Sequence, residues 1–588
     1  MKKTKLPALF ISLALVLAML LAACSTGSNS GGAQNATNAA ATTAATTAAT
    51  TTTAKAETTT TAAKDPSAPG PYGPFDPPIV VKTIRQIADR EYMPGETWDN
   101  NLWTKAYEEK LGITFDYVWT AQSDFTSKLN TAIAADDLAD FMNIPYDQFA
   151  LLAKNGKLES LDEAIDKYCH PDIYAIFDAF GGLARSQLTF NGHIMGIGSA
   201  PPIEPNQLWY RDDWLAAVGR EKPTSMEDVL AMAVDFATKD PNGNGLPTVG
   251  IGMSKDLFGG GMTLLGFFSA YGAYPEQWVE ENGQLVRGSI QVDKVREPLL
   301  VLQDLYKQRV LDQDFINIGV WDNAPDDIVA EKIGMAFGAI WWGDWKCAAL
   351  MEARGDDKAT WTCMPIPGLV GRGPNKPPVT VKQNWVVCVR AGYKYPEVAV
   401  KMVNLGRGLL NGDIAEGKYH DQPNPDRPGF TVGNFFHSLT TNGPGENGER
   451  SWNYICAVAV CKALETKNTS ELTDEQKSYY DRCVGWLDRS NLAGYTSYSI
   501  FGPGGSQFVG QEIREKKLYY MEPYYGPATD MMNENMGNIK SKRDEIYTNI
   551  ILGGDVDSGL ADLVNYWKAN YGDEITKEVN DWWQDNKK

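Results

Sequence analysis

Histidine is scarce in this 588-residue chain: there are four, His170, His193, His420 and His437, and they do not cluster. Cysteine is also sparse, with eight residues and no CxxC pair, so neither residue type offers the spacing of a zinc framework. No HExxH, GxSxG or GxxxxGK[ST] pattern occurs, which leaves no zinc-hydrolase, nucleophile-elbow or nucleotide-loop chemistry to argue for. Basic charge is in deficit as well. Residues 1–75 hold five lysines and two acids, leaving 49 basic and 72 acidic residues and a net of −23 on the remainder. Such a body repels nucleic acid and anionic lipid. A glycoside hydrolase needs two carboxylates at a defined separation, and 74 acids offer too many pairs to nominate one.

What is present begins with Lys2, Lys3 and Lys5, the apolar run LPALFISLALVLAMLLAA, and a break at Cys24. The charged start, short apolar stretch and small residues before the break predict an export signal over residues 1–23. LAAC (Leu21 to Cys24) resembles the bacterial lipoprotein lipobox, which implies lipidation (palmitate) of Cys24; a plain signal peptide or an uncleaved anchor stands as the alternative. Residues 24–75 are rich in Thr, Ala, Ser and Gly and carry almost no large apolar side chain before Tyr72 and Phe75. They cannot bury enough surface to offset chain entropy, so they are expected to act as a tether. A long Thr-rich spacer suits a Gram-positive cell, whose wall must be crossed, and places the body at the extracellular face of the membrane. With Cys24 set aside, seven cysteines remain, expected mostly as buried thiols, with one disulfide open to an exported chain.

From Phe75 to Lys588 the chain is too long for one core and long enough for two lobes. PPIVVKTIRQIA and ITFDYVWT read as strands, and NLWTKAYEEKLG between them as a helix ending on glycine. SDFTSKLNTAIAADD repeats the helical spacing, ADFMNIP reads as a buried strand, and DQFALLAKNGKLESLDEAIDKY as two helices around a turn. This alternation predicts a mostly parallel α/β sheet that binds ligand at the strands' carboxyl ends.

The blocks GETWDNNLWTKAYEEKLGI, IAADDLADFMNI, LAKNGKLESLDEAIDKY, LWYRDDWLAAVGREKPTSMEDVLAMAVDFATKDPNGNG, YPEVAVKMVN and YGDEITKEVNDWW follow one another from Gly95 to Trp583. In content and order they resemble the signature blocks of family 1 extracellular solute-binding proteins, the lipid-anchored receptors of ABC importers, and in particular the carbohydrate-binding type. The resemblance implies a two-lobed periplasmic-binding-protein-like α/β fold with an interlobe cleft closing by hinge motion. It places one lobe at 76–202 and about 379–440, the other at 203–378 and about 441–588. It implies a non-enzymatic monomer that delivers an oligosaccharide to the transmembrane permease subunits of an ABC transporter; a peptide receptor, a glycan-active enzyme and an adhesin are the alternatives.

A sugar ring has an apolar C–H face and a rim of hydroxyls, so its binder needs aromatic platforms and paired hydrogen-bonding groups. AIWWGDW supplies both in Trp341, Trp342, Asp344 and Trp345, with core packing as the alternative for some of the three indoles. Trp341 leads, because its offset from Met335 matches that of a stacking tryptophan in the maltose-binding branch. By the same resemblance Glu204 and Tyr210 lie just past the first crossing between lobes, and Asp147, with Tyr146 and Gln148, at a strand end that contacts hydroxyls. Trp98, Asn100 and Asn101 sit on the first loop, where a contact to ligand competes with a helix N-cap formed by Asp99 or Asn100. Tyr271 is a further candidate, whereas Phe267 and Phe268 read as core and Arg211 as a structural salt bridge within RDDW. Finally, Asp240, Asn242 and Asn244 at i, i+2, i+4, Gly245 sixth and the Leu246 carbonyl have the spacing of a calcium loop. Thr248 stands where the family block often has an acid and Ile251 where such a loop wants glutamate, so an Asn/Gly turn without any ion competes with structural calcium.

Overall fold

The chain divides at Ala63/Lys64 into two units, and the described residues all belong to the second. The computed structural model describes residues 70–87, 91–199, 203–319, 324–344, 347–426, 431–440 and 451–587. The export signal, Cys24 and most of the tether lie outside them.

The first layers form as the periodicity predicts: β1 (Ile79–Gln86), α1 (Leu102–Leu111), β2 (Ile113–Ala121), α2 (Phe125–Ala134), β3 (Phe141–Pro145), α3 (Tyr146–Lys154) and α4 (Asp162–Tyr168). In α1 the buried residues Trp103, Ala106, Tyr107 and Leu111 recur at helical spacing, one stripe against the sheet. Gly112 ends the helix in the left-handed region at φ 66°, and a Cβ there would stand 2.9 Å from the Phe75 carbonyl oxygen.

β1 pairs in parallel with β2 and with β3. The sheet is then completed from far away by β4 (Gly196–Ile197) and β8 (Trp385–Val389), giving the order β2-β1-β3-β8-β4. β8 runs antiparallel to both neighbours, so Trp385 faces Pro145 and the amino end of β8 lies on the same edge as the carboxyl ends of the parallel strands. A second sheet, β6-β5-β7, is built from β5 (Gln207–Arg211), β6 (Met335–Gly338) and β7 (Trp361–Met364) and is antiparallel throughout. The expectation of mostly parallel strands therefore holds only for the βαβ stretch. β8 returns to the first sheet after the chain has built the second, and no helical crossover dictates its direction.

Each sheet has its own core. Val81, Trp103, Phe141, Ile144, Val387 and Leu405 belong to the first, while Leu208, Trp214, Phe236, Phe267, Met335 and Tyr547 belong to the second. Residues 198–206 and 365–384 carry the chain between the sheets, which makes the molecule a two-lobed α/β protein. Of the seven cysteines beyond Cys24, six are buried and Cys461 is half-buried. Among the described residues no helix is long and apolar enough to cross a membrane.

Candidate functional site

The carboxyl edge of the first sheet is aromatic. Along β2 Phe115 and Tyr117 share a face, and a register shift against β1 between Tyr117 and Trp119 breaks the alternation and turns Trp119 to the other. Tyr117 meets Trp98 edge-on with ring centroids 5.0 Å apart, and Arg85 fixes the Trp98 loop by donating to the Trp98 carbonyl at 2.5 Å and the His437 carbonyl at 2.8 Å. Trp119 lies 5.3 Å from Phe125, which lies 5.4 Å from Trp385, and the Lys128 ammonium sits 5.1 Å over the Trp119 ring. Trp98, Trp119 and Trp385 are all half-buried, each with apolar area against the core and area left to offer. Sequence reasoning found Trp98 alone among them. The period-two aromatics of β2 were a usable signal for Tyr117; Trp119 lies past a register shift that alternation does not announce, and Trp385 depends on the long-range pairing of β8.

On the other side, the first crossing segment carries Glu204, and the turn after β6 carries Trp341. The two side chains lie close together: Trp341 is 38% exposed, and its indole favours the ionised form of the Glu204 carboxyl. Glu204 Oε1 is shielded from solvent and has no hydrogen-bond partner among the described residues. Burial pushes this carboxyl up to about 7, with the Arg514 guanidinium and the Trp341 indole pulling the other way. Phe501 lies 6.3 Å from Trp341 and stacks at 3.9 Å on Tyr479. An exposed indole beside a shielded carboxylate oxygen is the arrangement that the C–H face and one hydroxyl of a sugar would require.

The remaining candidates are placed elsewhere or otherwise engaged. Trp342 is 2% exposed and packs at 5.5 Å on Trp361 in the core, so the two adjacent tryptophans point in opposite senses. Tyr210 is buried on β5 within the second core, and Tyr271 is buried 5.2 Å from Phe267. Tyr146 is buried; Asp147 Oδ1 accepts from Lys382 Nζ and from the Ala528 amide, both at 2.8 Å, and Gln148 donates to Asn130 at 3.2 Å. The α1 cap is Asn101, one residue beyond the expected pair: its side-chain oxygen accepts from the Trp103 and Thr104 amides. Asn100 is exposed, its amide donating to Thr97 Oγ1 at 3.1 Å. Arg211 makes the expected bidentate contact with Asp213 at 2.7 and 2.6 Å, and Phe267 and Phe268 are core. Trp345 and the Asp344 side chain lie outside the described residues.

Around Asp240 the loop closes on its own amides. The Asp240 carboxylate accepts from the amides of Asn244 at 3.2 Å and Gly245 at 2.9 Å, Asn244 Oδ1 accepts from the Leu246 amide at 2.9 Å, and Asn242 Oδ1 accepts from Trp214 Nε1 at 2.6 Å. Among the described residues no group of three or more His, Cys, Asp or Glu side chains is arranged to hold a metal.

Residues 91–406 match the family model described as bacterial extracellular solute-binding protein. The chain is 22% identical over 512 residues to lipoprotein LipO of Bacillus subtilis, covering 84% of this chain and 91% of LipO. It is 29% identical over 177 residues to the fructooligosaccharide ABC transporter substrate-binding protein FusA of Streptococcus pneumoniae, 28% of this chain and 32% of FusA. Among solved structures, the alginate-binding protein AlgQ2 without calcium ion aligns at 14% identity with a TM-score of 0.57, over 88% of this chain and 98% of AlgQ2. An EF-hand mutant of FusA in complex with fructo-nystose aligns at 16% identity with a TM-score of 0.56, over 86% of this chain and 99% of FusA.

Proposed function

Because the chain belongs to the bacterial extracellular solute-binding proteins, we propose that it captures an oligosaccharide between its two lobes and delivers it to the membrane permease of an ABC transporter. The observation that carries this reading is the Glu204 and Trp341 pair, an exposed indole face beside a shielded carboxylate oxygen without a partner among the described residues. Ligand would stack on Trp341 and give a hydroxyl proton to Glu204 Oε1, while Trp98, Tyr117, Trp119 and Trp385 offer further ring surfaces from the first sheet's edge. Residues 76–202 with 379–440 would close on 203–378 with 441–588, because only the closed form lets both sets touch one ligand. FusA and AlgQ2, named for fructooligosaccharide and alginate, support a glycan over a peptide.

In this reading the chain is a receptor and not an enzyme: it holds the glycan through stacking and hydrogen bonds and returns it unchanged. It works as a monomer at the extracellular face of a Gram-positive membrane, held by lipid on Cys24 and spaced from it by the threonine-rich tether. The LipO relationship supports the lipoprotein assignment. The test is thermal unfolding of the full chain against panels of oligosaccharides and of peptides, with product analysis of any ligand found. A midpoint rise with one glycan class and no cleavage is expected, since a ligand that binds only the folded form stabilises it by mass action. A rise with peptides alone would refute the glycan assignment, and cleavage would refute the receptor.

A further inference from the structure

The loop Asp240–Leu246 has the side-chain spacing of a calcium loop, and its structural neighbours include AlgQ2 without calcium ion and an EF-hand mutant of FusA. Its donor set does not fit the ion. Calcium takes six to eight oxygens, and its affinity follows the number of charged ligands. Here the ninth and twelfth positions are Thr248 and Ile251, and the fold removes both from the loop. Thr248 is buried and donates its hydroxyl to the Phe236 carbonyl at 2.6 Å; Ile251 is wholly buried in the second core. Asp240 is left as the loop's sole carboxylate among two amides and a backbone carbonyl.

Something else secures the loop. The Asn242 side chain is held at both ends: its oxygen takes the Trp214 indole proton at 2.6 Å, and its nitrogen donates to the Glu331 carbonyl at 2.9 Å. Trp214 belongs to α5 (Asp212–Ala217), which follows β5, and Glu331 precedes β6. The Glu331 carboxylate in turn pairs with the wholly buried Arg211 at 3.1 Å and with Arg354 at 2.7 Å. One amide thus ties the loop to the ends of two adjacent strands, at the residue that helps neutralise a buried guanidinium.

We infer that this loop is a cation-free brace, in which the Asn242 amide performs by hydrogen bonding the fastening that an ion would otherwise perform. The decisive experiment is thermal unfolding of the EDTA-treated full chain in EDTA and in millimolar CaCl2 at matched ionic strength, with MgCl2 as the control for general screening of the acidic surface. Calorimetric titration with CaCl2 accompanies it. The expected result is one midpoint in all three buffers and no saturable heat. Asn242→Ala should lower the midpoint by a few degrees, by the same amount with and without calcium. A midpoint rise specific to calcium that disappears in Asp240→Asn would overturn the inference, as would rescue of Asn242→Ala by calcium. Should Asn242→Ala not fold, the wild-type comparison still decides.

Discussion

Glu204 is the residue on which the binding chemistry is most sharply testable. Burial disfavours its charge and pushes the carboxyl up from its ordinary 4.5 to about 7. An acid with a raised folded value binds its proton more tightly in the native state, so its contribution to stability is greatest below about 4.5 and is lost as pH rises towards 7. Glu522, half-buried and likewise pushed up to about 7, acts in the same window and direction. Stability should therefore fall between about pH 4.5 and 7, and Glu204→Gln should flatten part of that slope in denaturant titrations; an unchanged slope would mean that Glu204 is solvated. Binding carries the opposite sign. A hydroxyl donating to Oε1 favours the ionised carboxyl, so glycan affinity should rise with pH through about 7, and Glu204→Gln should remove that rise in calorimetry. Trp341→Ala should weaken binding by about 1.5 to 3 kcal/mol, the scale of a lost aromatic contact. Undiminished affinity would take Trp341 out of the site. The sequence put Trp341 first among the three indoles but gave no physical ground for setting it apart from Trp342, and the structure exposes Trp341 and buries Trp342. Both are indoles beside a glycine and an acid, and which one turns inward is decided by the turn after β6, not by composition.

At the scale of elements, the βαβ start was readable because each piece carries its own local signal: alternation in β1 and β2, a helical stripe in α1 and α2, and Gly112 as a left-handed stop. The cap of α1 was misplaced by one residue because Asp99, Asn100 and Asn101 are all competent caps in isolation. The structure spends Asn101 on the helix: its oxygen takes two amides, and its nitrogen donates to the carbonyls of Thr97 and Trp98 at 3.0 Å each. It fastens the helix end and the Trp98 loop together. Asn101→Ala should thus cost about 1 to 2 kcal/mol, the upper part of the range for a lost cap. The measurement is a urea midpoint that falls with its slope unchanged. If Trp98 serves the ligand, the same variant should also bind glycan more weakly at a temperature where it is fully folded. Strands such as β8 lie beyond local reading, because their partners are hundreds of residues away, and with them goes Trp385.

The two lobes meet in more than the candidate cleft. Asp147, at the start of α3 on the first lobe, accepts from Lys382 in the second crossing segment and from the Ala528 amide, just before the helix Asp530–Ile551 whose Ile546, Tyr547 and Ile550 pack in the second core. Resemblance made this acid a ligand contact; in the structure it also joins α3 to Lys382 and to the Ala528 amide, and nothing in the isolated stretch DFMNIPYDQF announces those bonds. Hinge closure then has a definite thermodynamic requirement. A ligand shifts the balance of open and closed forms only by the difference in its affinity for them, so it must touch groups on both lobes. Small-angle scattering of the wild-type chain should show a smaller radius of gyration at saturating glycan than without it. Trp341→Ala removes a contact from one lobe and leaves the aromatic edge of the other intact. It should therefore lower affinity and also leave less compaction at saturation, because the ligand then favours the closed form by less. Full compaction at saturation with weakened affinity would place Trp341 among the groups that already hold ligand in the open form. No compaction of the wild-type chain with a ligand that demonstrably binds would dismiss closure, leaving a fixed groove to account for capture.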